Sequence, residues 1–199
     1  MKVRALGVIG AHEFTPTVFP DRRGLFVAPF QGGVFTGQTG FRHFPVSQTG
    51  HSFSRRGVVR GVHYTDAPPG MATYVYCPRG SVTDFIVDLR VGSPTFGRVE
   101  ATALNSENFR ALYVPVGVGH GYVAHEDDTI VSYLLSGGYA PEHEQAVSVL
   151  DPDLALPLPE AEPILSDRDQ VAPTLREAQE AGMLPEYETC LKLERRTLG

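Results

Sequence analysis

From Pro45 onward the chain alternates apolar and polar residues in short runs, each closed by a turn. The strand-like runs are Val46–His51, Gly57–Tyr64, Thr73–Pro78, Ser81–Arg90, Gly97–Leu104, Phe109–Val114, Gly121–His125 and Thr129–Ser136. Between them lie turn signals such as Ala67-Pro68-Pro69-Gly70, Pro78-Arg79-Gly80, Gly92-Ser93-Pro94, Val116-Gly117-Val118-Gly119 and Ser136-Gly137-Gly138. Residues two apart share a face of a strand. In Ser81–Asp88, Val82, Asp84, Ile86 and Asp88 therefore face one way, and Thr83, Phe85 and Val87 the other. Short strands at about 8–12-residue spacing, with no helices between them, predict an all-β sandwich or barrel. A small barrel can hold one ligand in its mouth.

The two ends read differently. Val3–Ile9 and Glu13–Phe19 are strand-like and split by Gly10-Ala11. Asp21-Arg22-Arg23-Gly24 is a charged turn before a strand over Leu25–Phe30, and Gln31–Phe44 is Gly-rich and reads as irregular. At the other end Leu150–Pro163 is a Pro- and acid-rich connection. Leu175–Ala181 reads as a helix ended by Gly182, and Pro185–Arg196 as a second one, with Arg195 and Arg196 suited to the C-terminal dipole. These helices are expected on the outside of the barrel.

Length and charge narrow the classes. A chain of 199 residues, 42% apolar and 20% charged, suits one soluble domain with a core. Its 21 glycines and 16 prolines suit many tight turns. A net charge of −6 speaks against a general nucleic-acid binder, although local arginines can still hold an anion. Cys77 and Cys190 form neither a disulfide framework nor a zinc spacing. No apolar run is long enough for a signal peptide or a membrane span, so a cytoplasmic protein with reduced thiols and no membrane partner is expected.

Candidate chemistry centres on Arg55–Tyr64, where Arg60 and His63 interrupt a valine-rich strand. Strict alternation puts Gly61 and His63 on one face and Arg60 and Val62 on the other. A metal site needs three or four converging ligands; there is no His-x-His pair, so no metal is expected. Acid–base chemistry has better material in His63, His120, Tyr133, Asp84 and Asp169. A His–Asp pair would make His63 a better base, and a tyrosine hydroxyl could act as an acid. Arg23, Arg60 and Arg90 are candidates for an anion clamp. Each has a plain alternative: a solvated strand for Arg60 and His63, core packing for Tyr133, a satisfied loop histidine for His120.

Taken in order, the motifs resemble one family. Asp21-x-Arg23-Gly24, Gln48-x-x-His51-Ser52, Arg60-Gly61-Val62-His63-Tyr64, Asp88-Leu89-Arg90-x-Gly92-Ser93-Pro94-Thr95-Phe96-Gly97, Gly119-His120-Gly121-Tyr122, Tyr139-Ala140-Pro141 and Leu165-Ser166-Asp167-Arg168-Asp169 resemble the dTDP-4-keto-6-deoxy-sugar 3,5-epimerases, in register from about residue 10 to 185. The likeness extends to the antibiotic deoxysugar branch, which includes single-centre epimerases. The resemblance implies a cupin-type jelly roll over residues 1–199, with neither metal nor cofactor. It also implies a homodimer in which strands of about residues 1–30 complete the neighbour's site. It makes His63 the base, Asp169 its partner and Tyr133 the acid on the other face. Arg23, Gln48, Arg60 and Tyr139 would hold the nucleotide diphosphate. Asp84 and His120 would line the sugar pocket, and Phe26 and Thr73 complete the substrate-binding set. The departures are Thr73 where the family has a lysine beside the enolate oxygen, Ala28 for a glutamate and Gly50 for an asparagine. A hydroxyl is a weaker stabiliser than an ammonium. Two other classes fit the same barrel: a non-catalytic nucleotide-sugar binder and a metal-dependent cupin enzyme.

Overall fold

Consecutive strands of the central region switch between two antiparallel sheets at every step but one, and that switching builds the molecule. The computed structural model describes residues 1–159 and 161–199. Its strands are β1 (Lys2–Ala5), β2 (His12–Thr15), β3 (Val18–Asp21), β4 (Gly24–Val27), β5 (Gln48–Ser54), β6 (Val59–Thr65), β7 (Thr73–Arg79), β8 (Ser81–Asp88), β9 (Val99–Asn105), β10 (Ala111–Val114), β11 (Val118–Ala124), β12 (Thr129–Leu135) and β13 (Glu144–Ala146). One sheet runs β1-β2-β10-β7-β12-β5, the other β13-β6-β11-β8-β9, and β3 and β4 form a separate hairpin. The helices are α1 (Gly32–Thr39), α2 (Asp167–Gln170), α3 (Leu175–Glu180) and α4 (Tyr187–Leu198). Two facing antiparallel sheets that trade strands in this way are a cupin-type jelly roll.

The core lies between the sheets. Val75, Cys77, Leu112 and Val131 of the larger sheet meet Val82, Ile86, Leu104, Val118 and Tyr122 of the smaller one. The outer faces are covered as well. Phe85, Val87 and Val123 pack under Val147, Val149, Leu154, Ala178 and Leu184 of the tail. Phe14, Tyr74 and Tyr113 pack under Phe35 of α1, Phe44, and Cys190 and Leu198 of α4. Strands covered on both faces lose their polar face, which is why β10 is buried at every position.

The strand pattern and the external tail helices correspond to the sequence reading, with shifted edges. The expected irregular stretch over 31–44 contains α1 instead. Its glycines disfavour a helix, but Phe35 anchors it in an aromatic cluster, with ring centroids 5.1 Å from Tyr113 and 5.5 Å from Phe44. Gly40 ends it at φ 77°. The predicted run Glu13–Phe19 breaks at Pro16 into β2 and β3. The strand expected from Gly121 begins at Val118, so His120 sits mid-strand rather than in a loop. Of the connection expected over 150–163, residue 160 lies outside the described residues.

Candidate active site

The two sheets part at one end around a cavity of about 280 Å³. Its walls carry Arg60 and His63 from β6, His120 and Tyr122 from β11, Thr73 from β7, and Ser52 and Tyr133 from β5 and β12. Met71, Val114, Val118 and Leu135 supply the apolar part.

Arg60 and His63 reach this cavity together because the strand does not alternate strictly. His120 pairs with His63 and Tyr122 with Arg60, so three steps on β6 oppose two on β11. That is a bulge, and it shifts the face parity by one residue. Val59 and Val62 both join the outer cluster, while Arg60 and His63 both face inward. Strict alternation, which separated Arg60 from His63, is corrected by the extra residue, Gly61. Gly61 has φ 117°, and a Cβ there would lie 2.6 Å from both Gly121 Cα and the His120 carbonyl. Only glycine fits.

His63 Nε2 lies 2.6 Å from Asp169 Oδ1. The segment leading to Asp169 is held along β6, where the Val59 N–H donates to the Ile164 carbonyl at 3.0 Å. Asp169 sits in the first turn of α2, its N–H donating to the N-cap Ser166 Oγ. Burial alone would raise its carboxyl pKa. The hydrogen bond and charge of His63, with Ser166 and Arg168, outweigh burial and hold it below the ordinary value.

A second pair stands beside the first. His120 Nε2 lies 2.8 Å from Asp84 Oδ2, and Asp84 is fully buried. Here burial dominates over His120 and raises the carboxyl pKa. Tyr133 faces these histidines from the opposite sheet, its ring edge-on to His120 at 6.1 Å. Burial pushes its phenol well above the ordinary value, so it stays protonated. A chain of hydroxyls runs behind it. Tyr133 Oη is 3.2 Å from Ser52 Oγ, Tyr122 Oη is 2.8 Å from both Ser52 Oγ and Ser54 Oγ, and Arg60 Nε donates to Ser54 Oγ at 3.2 Å.

The structure therefore brings together His63, Asp169, Tyr133, Arg60, Thr73, Asp84 and His120. It does not bring in the rest. Gln48 accepts from the Tyr139 N–H at 2.9 Å, but neither residue lines the cavity. Arg23 and Phe26 lie on the exposed β3–β4 hairpin, with Arg23 tied to Asp21. Arg90, a sequence candidate for the anion clamp, is instead buried against Asp88 at 2.8 Å and stacks on Tyr187. Sequence reasoning gave no role to Tyr122, Ser52 or Ser54, although Ser52 and Ser54 share a face at period 2. Among the described residues no group of three or more His, Cys, Asp or Glu is placed to hold a metal. No helix among the described residues is long and apolar enough to cross a membrane.

A family model described as dTDP-4-dehydrorhamnose 3,5-epimerase matches residues 5–177. The chain belongs to this family. It is thus an isomerase of the dTDP-4-keto-6-deoxy-sugar epimerase kind. It is 47% identical to a dTDP-4-dehydrorhamnose 3-epimerase of Streptomyces niveus, over 96% of this chain and 91% of that one. It is 46% identical to a dTDP-4-dehydrorhamnose 3,5-epimerase of Mycolicibacterium smegmatis, over 96% and 94%. Among solved structures it resembles NovW, a 4-keto-6-deoxy sugar epimerase from the novobiocin biosynthetic gene cluster of Streptomyces spheroides, with TM-score 0.93, 47% identity and coverage of 96% and 95%. It also resembles ChmJ, a 3'-monoepimerase of Streptomyces bikiniensis in complex with dTDP-quinovose, with TM-score 0.92, 42% identity and coverage of 96% and 97%. The family thus contains members that invert one carbon and members that invert two.

Proposed function

We propose that this family member binds a dTDP-4-keto-6-deoxyhexose in the cavity between the sheets and inverts carbon next to the keto group, in the making of antibiotic deoxysugars. His63, with Asp169 behind it, removes the proton. Electrons move into an enolate, and Tyr133 returns a proton from the other side. The observation that carries this reading is the placement of His63 and Tyr133 on opposing sheets. A sugar lying between them meets a base on one face and an acid on the other, as inversion requires. The low carboxyl pKa of Asp169 keeps a negative charge behind His63. Tyr133 is a neutral donor in the same cavity.

Arg60 stands exposed at the cavity rim, placed for the diphosphate. The β3–β4 hairpin carries Phe19, Leu25 and Phe26 to solvent, more apolar surface than a free hairpin sustains. In a homodimer this hairpin would reach the neighbouring cavity and bring Arg23 and Phe26 to it, with Gln48 and Tyr139 at the rim. Cys77 and Cys190 are free and buried, which suits the cytoplasm.

Incubation with dTDP-4-keto-6-deoxyglucose in D2O, followed by NMR at C3 and C5, tests the reading. Deuterium at one or both carbons is expected; binding of the nucleotide sugar with no exchange at either overturns it. Tyr133→Phe should retain exchange and lose net inversion. Undiminished inversion would remove Tyr133 from the acid role.

A further inference from the structure

Proton removal beside a ketone places negative charge on the keto oxygen, and something must receive it. The sequence has only two lysines, Lys2 and Lys192, on β1 and α4, and neither lines the cavity. The cation-capable groups at the cavity are Arg60, His63 and His120. His63 is taken as the base. Arg60 directs Nε and Nη2 at Ser54 Oγ and the Phe53 carbonyl, at the rim. His120 is left.

We propose that His120 is the catalytic hydrogen-bond donor to the keto and enolate oxygen through its Nδ1–H, and that Asp84 is the positioning residue that keeps this proton on the ring. The inference rests on the epimerase reading above. His120 is the cross-strand partner of His63 and stands edge-on to Tyr133. It therefore adjoins both the base and the acid, within reach of a carbonyl next to the reacting carbon. Its Nε2 is held by Asp84, and among the described residues Nδ1 has no protein partner.

Proton accounting decides what Nδ1 carries. Asp84 lies in the middle of β8, fully buried, with Oδ1 lacking any partner. Its cross-strand neighbours are Tyr122 of β11 and Thr102 of β9, and the Thr102 hydroxyl is also unpartnered. The titratable groups facing it are His120 and Tyr122 of β11, Cys77 of β7 and Tyr133 of β12. Of these only His120 can be a cation. A bare carboxylate with a neutral histidine would leave one uncompensated charge sealed in the sheet, a costly state. The pair therefore holds one more proton. In one arrangement it is imidazolium with carboxylate. In the other, a carboxylic acid donates to Nε2 of a neutral ring. Both put a hydrogen on Nδ1. When His63 takes the C–H proton, the bonding electrons pass into the new C=C bond and onto the oxygen that Nδ1–H holds. Return of a proton from Tyr133 restores the carbonyl.

Three measurements test this in the full-length protein. Deuterium exchange by the wild type comes first; if it is absent, the epimerase reading fails and not only this inference. Given exchange, His120→Phe should slow it about 10²–10³-fold with dTDP affinity little changed, and an unchanged rate overturns the proposal. Should that variant not fold, 15N NMR of the wild-type histidine rings at neutral pH reads the same point directly. His120 Nδ1 should carry a proton and His63 Nδ1 should not, and a bare His120 Nδ1 overturns the proposal. For Asp84, Asp84→Asn should move the alkaline limb of the exchange rate against pH, because the titrating carboxyl is gone. An unmoved limb removes Asp84 from the role.

Discussion

Two histidine–aspartate pairs stand on neighbouring strands of the same sheet. In one, His63 Nε2 is 2.6 Å from Asp169; in the other, His120 Nε2 is 2.8 Å from Asp84. The carboxylates differ in what else surrounds them. Asp169 has the Ser166 cap and Arg168 beside it, and its pKa is lowered. Asp84 has a strand on each side and an oxygen with no partner, and its pKa is raised. In two otherwise similar pairs the carboxyls are thus tuned in opposite directions. On the proposed mechanism, a stable carboxylate supports the positive charge that an imidazole gains on accepting a proton, and a carboxyl that resists ionisation keeps a proton in place. If the proposed roles hold, it is the surroundings of each carboxyl, more than the histidine itself, that separate base from donor.

The largest test is removal of the base. His63→Ala should lower deuterium exchange by about 10²–10⁴-fold, the usual worth of a positioned general base, while dTDP still binds. Exchange at more than a tenth of the wild-type rate would mean that the other pair can do the work, and the comparison would collapse. Asp169→Asn should follow, with a loss of roughly 10²-fold, because the uncharged amide no longer supports a proton on His63. If Asp84→Asn cost exchange more than Asp169→Asn, the two duties would have to be exchanged.

Much of the site was legible before any coordinates. The motif series singles out His63, Asp169 and Tyr133; the cavity wall carries His63 and Tyr133, and Asp169 is bonded behind His63. The strands followed from period-2 alternation. What escaped has physical causes. Alternation cannot see a bulge, so Arg60 was set on the wrong face until the pairing of His120 with His63 and Tyr122 with Arg60 was known. Helix propensity misjudged 32–39, where tertiary burial of Phe35 outweighs glycine. Arg90 looked like an anion ligand because a charge in a sequence does not reveal that Asp88 already neutralises it. The hydroxyl chain through Tyr122 depends on three strands meeting, which no local pattern encodes.

A smaller effect tests how the two pairs come to face one another. Gly61→Ala puts a Cβ at φ 117° and within 2.6 Å of Gly121 Cα. Backbone strain of this kind costs of order 1–3 kcal/mol, before the clash is counted. The variant should unfold at lower urea than wild type and lose exchange beyond what its stability explains, since His63 and Arg60 no longer share the cavity face. Gly138→Ala, with nothing within 4 Å of the added carbon, is the control and should leave both unchanged. Equal behaviour of the two variants would show that the bulge does not set the site.

The smallest effect separates the two carboxyls by sign. The folded-state pKa of Asp169 lies below its unfolded value, so its contribution to stability is present above the ordinary carboxylate range and is lost as pH falls through the folded value. Asp84 runs the other way. Its folded pKa is raised, so its contribution is complete below the ordinary carboxylate range and is lost as pH rises through the folded value. Neither asparagine replacement titrates. From acid to neutral pH, Asp169→Asn should therefore lose urea stability relative to wild type, and Asp84→Asn should gain it. The two difference curves should have opposite slopes, whatever their offsets at acid pH. Parallel slopes would mean that both carboxylates are equally at ease as anions, and the distinction between a proton-accepting pair and a proton-holding pair would go with it.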